Sequence, residues 1–182
     1  MKRFLALLIL IVFLPVSGLA YSPELGMSVQ EFMDKYNAIP ASLGSLYLPL
    51  SQPDEWVKSD GYQVAWFHAA QNSDVRIMLM SQDDEAGQSL QAGLDAVRIY
   101  NFRPVDFVSF ISTAIRCTSL FALDVANTSS AVYHVAETIQ YYYENVNDLF
   151  SSAVTTIYAD TPVQLVFKQI GNESYFEIRK EQ

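Results

Sequence analysis

The chain has 182 residues, 51% of them hydrophobic and 17% charged, with a formal charge of −9. This length suits one domain that can bury a sizeable core, and the acidic balance argues against binding to nucleic acid or to anionic membrane surfaces. Cys117 is the only cysteine, which excludes an intramolecular disulfide.

The first 20 residues have the features of a cleaved signal peptide. Lys2 and Arg3 precede a short apolar run, and the small residues Gly18 and Ala20 stand where signal peptidase reads the chain. We predict cleavage after Ala20, export to the periplasm or the extracellular space, no membrane insertion of the mature protein, and a single domain over residues 21–182. Cleavage leaves 9 basic and 20 acidic side chains, a formal charge of −11, which leaves a cationic partner open.

The first predicted helix covers residues 29–37. Ser28 and Glu31 have the spacing of a capping box, apolar residues recur on one face, and Pro40 bars continuation. The Gly-Met-Ser-x-x-Glu-Phe segment at residues 26–32 resembles the helix start of some small exported modules, such as β-lactamase-inhibitory-protein-like domains. The resemblance covers those residues alone and implies no function.

Strand patterns follow this helix. Residues 41–61 mix leucines with Pro and Gly, which predicts a short strand followed by a loop. Alternating residues at 62–69 and at 75–80, with polar residues between them, predict a hairpin, and residues 94–100 predict a third strand. The polar and acidic segment at residues 81–87 predicts a loop.

Residues 103–146 predict two consecutive helices, which we interpret as the centre of the domain. Pro104 suits the first turn of the first helix. That helix shows a narrow polar stripe of Ser109, Ser112, Thr113, Arg116 and Ser119, and we expect it to be buried on several sides. An uncompensated Arg116 at mid-bilayer would cost at least about 2.5 kcal/mol, so a membrane span is rejected. The second helix has its predicted apolar face at Val132, Val135, Ala136, Ile139, Tyr142, Tyr143 and Val146.

The pattern then returns to strands at residues 153–158, 163–170 and 175–179, with a turn at Gly171. The element order predicts an α+β fold in which an antiparallel sheet is packed on one side by helices, with a central consecutive helix pair. Each half would be a helix followed by an antiparallel meander. A weak pseudo-repeat is therefore an open alternative, although the residues of the two halves align poorly.

Few residues offer catalytic or ligand chemistry. His68, on a predicted strand beside Trp66, is either an ordinary strand histidine or a catalytic or ligand group. His134 and Glu137 are three residues apart on a predicted helix with Tyr141 one turn further, which suits either a solvated face or a base with its orienting acid. Such a pair would also suit a metal, but further ligands are missing, so no metal or cofactor is predicted.

Two other groups have simpler interpretations. The carboxylates of Asp83, Asp84 and Glu85 lack the ligand spacing of a calcium-binding loop and predict a solvated turn. Cys117, within the first central helix, predicts a buried free thiol. The sequence contains no Gly-x-Ser-x-Gly elbow, phosphate-binding glycine loop or His-Glu-x-x-His motif.

The aromatic residues favour a binding role. Tyr62, Trp66 and the three tyrosines at 141–143 would line a cleft between sheet and helices or form an exposed recognition patch, and of the three tyrosines Tyr141 is the one expected to be exposed. The leading hypothesis is a non-catalytic exported module that recognises a protein or small ligand through an aromatic and acidic surface. The alternatives are a small exported hydrolase that uses His134 and Glu137 or His68, and an envelope structural or assembly subunit.

Overall fold

The computed structural model describes residues 25–40, 47–59, 61–71, 73–82, 89–121, 128–145, 154–157 and 163–180. The predicted signal peptide and the acidic residues 83–85 lie outside these ranges, so cleavage, export and the solvated turn stay predictions. Within these ranges, no helix is both long enough and apolar enough to span a membrane.

The described elements are three helices, one 3-10 turn and seven strands. In chain order they are α1 (Val29–Ala38), β1 (Glu55–Ser59), β2 (Tyr62–His68), β3 (Val75–Gln82), β4 (Leu94–Asn101), the 3-10 turn (Pro104–Asp106), α2 (Phe107–Ser119), α3 (Thr128–Asn145), β5 (Val154–Ile157), β6 (Val163–Ile170) and β7 (Glu173–Lys180). The predicted hairpin, the strand after it and the consecutive helix pair are confirmed.

All seven strands form one antiparallel sheet in the order β1-β2-β3-β4-β7-β6-β5. The predicted α+β fold with an antiparallel sheet is therefore confirmed. Two meanders, β1 to β4 and β5 to β7, meet where their last strands pair, and each meander follows a helix. This is the arrangement that a pseudo-repeat would need, but the duplication itself stays a prediction.

Helix α1 begins as its sequence predicts. Ser28 Oγ accepts a hydrogen bond from the Glu31 N–H at 3.1 Å, and the Glu31 carboxylate accepts one from the Ser28 N–H at 2.7 Å. These reciprocal bonds satisfy two donors at the helix start that would otherwise lack partners within the helix.

The loop predicted for the later part of residues 41–61 was wrong, because Glu55–Ser59 form strand β1. Of the short strand predicted before it, residues 41–46 lie outside the described ranges, and Tyr47 forms an isolated antiparallel bridge with Ala70. Leu50 does not join a strand, since the Asn37 side chain binds its N–H at 2.9 Å and its C=O at 2.8 Å. These two hydrogen bonds from one side chain replace the backbone hydrogen bonds that a neighbouring strand would make.

In both central helices, the buried side chains differ from those that the sequence pattern predicts. In α2, Thr113 and Ser119 of the predicted polar stripe are fully buried, and their hydroxyls donate to the carbonyls of Ser109 and Arg116 within the helix.

The buried face of α3 is rotated from the predicted one. Val132, Ala136 and Tyr143 are exposed, and the buried side chains are Ala131, Val135, Thr138, Ile139 and Tyr142. Val146 lies outside the described residues. The rotation follows from Tyr142, whose ring meets Phe167 of β6 at 4.9 Å.

The helices share one hydrophobic core with one face of the sheet. Buried side chains of α1, α2 and α3 cluster with Phe67, Leu79, Phe167 and Ile178, among others, which all lie on that face. Because side chains alternate along a strand, the intervening residues point to the opposite face.

Candidate functional site

The five residues singled out from the sequence do not form one site. Trp66 and His68 are two apart on β2 and therefore lie on the sheet face opposite the helices. His134, Glu137 and Tyr141 belong to α3, which packs on the helix-covered face through Tyr142. The structure thus separates two surfaces on opposite sides of the sheet.

The first surface is the sheet face that no described helix covers, here called the open face. Two cross-strand rows form its centre, as the strand registers show: His68, Arg76, Tyr100, Tyr175 and Lys168 in one row, and Trp66, Met78, Arg98, Glu177 and Val166 in the other.

Aromatic rings on the open face contact one another across three strands. Tyr100 of β4 lies at the centre, with ring centroids 5.3 Å from Trp66 and 5.7 Å from Tyr175. Phe102, just after β4, stacks on Tyr100 at 5.7 Å with the planes within 7° of parallel. All four side chains remain partly exposed. Tyr and Trp combine a large apolar area with a polar group, a composition typical of recognition surfaces.

A depression of about 400 Å³ lies beside this aromatic cluster. Its lining is mostly apolar: Val57, Tyr62, Val64, Trp66, Met78, Met80 and Arg98. Methionine side chains adapt their shape to what they contact, and small-molecule and side-chain sites are commonly apolar concavities with a few polar groups.

The second row carries an ion pair in which the glutamate is buried and the arginine is partly exposed. Arg98 donates through Nε to the Glu177 carboxylate, and Arg179 Nη1 lies 3.6 Å from the other Glu177 oxygen. Burial lowers the pKa of Arg98, but the charge and hydrogen bond of Glu177, together with Tyr100, outweigh burial, so the guanidinium pKa lies above its ordinary value. Burial, followed by the Glu177 charge, raises the pKa of the Tyr175 phenol, which therefore stays neutral and able to donate a hydrogen bond at neutral pH.

His68 lies at the edge of the open face with a carboxylate partner. Its Nδ1 is 2.8 Å from Asp54 Oδ2, and the same oxygen accepts the His68 backbone N–H at 2.7 Å. The two side chains are 42% and 49% exposed. A carboxylate in this position fixes the orientation of the imidazole ring, which is one requirement for a histidine that acts as a general base. The interaction comes from a residue 14 positions away, which the sequence did not single out.

The second surface is the outer side of α3. His134 Nδ1 is 3.4 Å from Glu137 Oε2, with the histidine side chain 14% exposed. Tyr141 is exposed, as predicted, with 51% of its surface accessible, and Tyr143 is exposed as well at 56%. A shallow depression of about 360 Å³ is lined by Tyr133, Ala136, Glu137, Gln140, Tyr141 and Glu144. Glu137 and Tyr141 therefore share a surface, which is aromatic and acidic.

Cys117 is fully buried in α2, as its sequence context predicts. Burial raises the pKa of the thiol well above its ordinary value, and the nearby Arg116 lowers it only in part. Because the thiolate is the reactive form, Cys117 is poorly suited to nucleophilic catalysis.

We expect the Cys117 thiol of the folded protein to react with an aromatic disulfide reagent at pH 8 at least about a hundredfold more slowly than in denaturant, since reaction requires opening of the core. The measurement is the absorbance of the released thiolate with and without urea. As a control, a Cys117→Ala variant that carries Tyr141→Cys should react at once when folded. Rapid, stoichiometric reaction of the native thiol would contradict the burial.

Sequence reasoning missed Arg76, Tyr100, Tyr175 and Lys168 as parts of one surface. The available signal was the alternation of residues 94–100 and 175–179, which places Arg98 and Tyr100, or Tyr175 and Glu177, on common faces. Strand order was required to place the two segments side by side.

Within the described ranges, no group of three or more His, Cys, Asp or Glu side chains is arranged to hold a metal ion. Comparison with known proteins found no matching family model, no similar curated protein and no similar solved structure.

Proposed function

We propose that this protein is an exported, non-catalytic binding module that recognises a protein or small ligand through the open face of its sheet. The observation that carries the proposal is the contacting cluster of Trp66, Tyr100, Phe102 and Tyr175, which no described helix covers. Aromatic side chains left partly exposed beside an apolar depression are typical of interaction sites.

The rigidity of the platform supports this role. The aromatic residues stand on or next to central strands that are hydrogen-bonded on both sides, so little conformational entropy remains to be lost when a ligand binds. The α3 surface, with Glu137 and Tyr141 beside a shallow depression, is a second surface that suits a cationic partner.

A hydrolase is the second candidate, and the pairing of His68 with Asp54 at 2.8 Å favours it over a role for His134. The pair supplies an oriented base, but a hydrolase also needs a nucleophile or a positioned water. The observation that would support this candidate is turnover of an ester, amide or glycoside that disappears in His68→Ala.

We expect Trp66→Ala to weaken binding of any ligand found in a thermal-shift screen of the purified protein by at least about tenfold, because central aromatic residues commonly contribute 2 kcal/mol or more to an interface. The screen should include small molecules and peptides, with binding confirmed by calorimetry.

Tyr141→Ala, which removes an exposed aromatic ring from the opposite side of the molecule, is the matched control and should leave that affinity unchanged. The proposal would be contradicted if Trp66→Ala bound the ligand normally while Tyr141→Ala lost it, or if His68→Ala abolished a measurable turnover.

A further inference from the structure

The charges of the open face indicate what it binds. We propose that the open face binds an acidic, extended peptide segment whose carboxylates pair with Arg76 and Lys168 and whose apolar side chain lies on the tyrosines between them. This inference rests on the proposed function, since it names the ligand class of the same surface.

The charge at the centre of the open face differs in sign from the charge of the whole chain. The chain as a whole has 11 basic and 20 acidic side chains. The described strands nevertheless direct four cations, Arg76, Arg98, Lys168 and Arg179, to the open face. Four carboxylates reach this face: Glu177 is paired with arginine, Asp54 is paired with His68 at the edge, and Glu55 and Glu173 lie at the margins, at the ends of their strands. The centre of the face is therefore cationic in an acidic protein.

Two of these cations have no carboxylate partner among the residues that the structure describes. Within the described ranges, neither Arg76 nor Lys168 forms an ion pair, and the Arg76 Nε has no hydrogen-bond partner. The Arg76 guanidinium instead lies 5.9 Å from the centre of the Phe102 ring. A partly buried cation without an anion is a ready partner for a carboxylate.

The strand register sets the distance between Arg76 and Lys168. Arg76, Tyr100, Tyr175 and Lys168 are register partners on four neighbouring strands, so the two cations stand at the ends of a tyrosine pair. Neighbouring strands are about 4.8 Å apart, which separates the two cations by about 14 Å at the backbone. An extended peptide covers that distance in about four residues.

This spacing specifies a side-chain pattern for the peptide. In an extended chain, positions i, i+2 and i+4 point to the same side. Acidic residues at i and i+4 would reach Lys168 and Arg76, and an aromatic residue at i+2 would lie over Tyr100 and Tyr175. The aliphatic and methionine lining of the neighbouring depression also suits an apolar amino-acid side chain better than a sugar ring.

The net negative charge of the protein does not prevent this contact. At physiological ionic strength the Debye length is about 8 Å, so distant carboxylates are largely screened while the cations of the open face act at contact distance. Binding should therefore weaken as salt is added.

The probe is a synthetic peptide, acetyl-Gly-Glu-Ser-Phe-Ser-Glu-Gly-amide, titrated into the purified full-length protein and followed by NMR or calorimetry. We expect saturable binding, loss of binding when both glutamates of the peptide are replaced by lysine, and at least about fivefold weakening by Arg76→Gln or Lys168→Gln. Lys35→Gln, which removes an exposed cation from α1, is the matched control and should change nothing. Thermal unfolding verifies that each variant is folded, and Lys168→Gln alone suffices should Arg76→Gln be unstable.

The outcomes separate the inference from the proposed function. Equal binding of the lysine peptide, or full affinity in folded Lys168→Gln, overturns the inference. If instead an uncharged small molecule binds and Trp66→Ala abolishes that binding, the inference fails while the proposed function stands. Sedimentation velocity tests whether the open face is buried in a dimer. A dimer that is lost in Trp66→Ala would show that a second copy of the chain, and not a peptide, occupies the open face, and would overturn the inference.

Discussion

Phe167→Ala should lower the free energy of unfolding by about 3 to 5 kcal/mol. Phe167 is fully buried on β6, where both central helices meet the sheet: its ring lies 6.2 Å from Phe110 of α2 and 4.9 Å from Tyr142 of α3. Removing the ring loses apolar burial and leaves a cavity between three elements that cannot all collapse into it. Urea denaturation followed by circular dichroism measures the change as a shift of the midpoint at constant slope.

The size of this effect matters because domains of this kind are stable by only about 5 to 15 kcal/mol. Tyr141→Ala is the control, since that ring is 51% exposed and its removal should cost no more than about 0.5 kcal/mol. A loss below about 1 kcal/mol for Phe167→Ala would contradict the packing of α2 and α3 on β6.

Arg116→Met should lower the free energy of unfolding by about 3 kcal/mol. The Arg116 Nη2 of α2 donates to the carbonyls of Tyr36 at 2.8 Å and Ile39 at 2.6 Å, where α1 ends. Its guanidinium also lies 4.7 Å from the ring centre of Tyr36 and 4.9 Å from that of Tyr47. Charged hydrogen bonds contribute about 1.5 to 3 kcal/mol each and cation–π contacts about 0.5 to 1 kcal/mol, although such contributions do not add fully.

The position of Arg116 explains why a charged residue lies on the narrow polar stripe of a helix that is otherwise apolar. It satisfies carbonyls at the C-terminal end of α1 and so attaches α1 to α2. Arg116→Lys should be intermediate, because lysine keeps the charge but loses the planar donor group that reaches two carbonyls and stacks on rings.

Arg103→Met is the matched control for Arg116→Met. Arg103 pairs with Asp74 at 2.7 Å and with Asp106 at 3.1 Å, but its side chain is 50% exposed, so the change should cost less than about 1 kcal/mol. Comparable losses for the two variants, measured by thermal unfolding, would show that Arg116 acts only as a surface charge.

The two functional tests differ in kind from these stability tests. Trp66→Ala and Lys168→Gln alter partly exposed side chains on the open face, so they should change binding while leaving unfolding nearly unchanged. The combination of a stable fold and lost binding is the result that would identify the open face as the functional surface.

The sequence by itself determined the features that depend on neighbours along the chain. The capping box of Ser28 and Glu31, the stop after α1, the alternation in β2 and the turn at Gly171 are all local, and each predicts its element because backbone geometry repeats every two or 3.6 residues. From these elements and their order the α+β class followed.

Only the tertiary structure decided which elements stand side by side. The contact of Arg98 with Glu177 joins residues 79 positions apart, and the row from Arg76 to Lys168 exists because β4 pairs with β7. The rotated face of α3 was decided in the same way, by Tyr142 packing against Phe167. Strand order and helix orientation depend on the packing of the whole core, and no local period encodes that packing. Alternation along single strands therefore predicted Trp66 and His68 as neighbours on one face, but not the tyrosines and cations beside them.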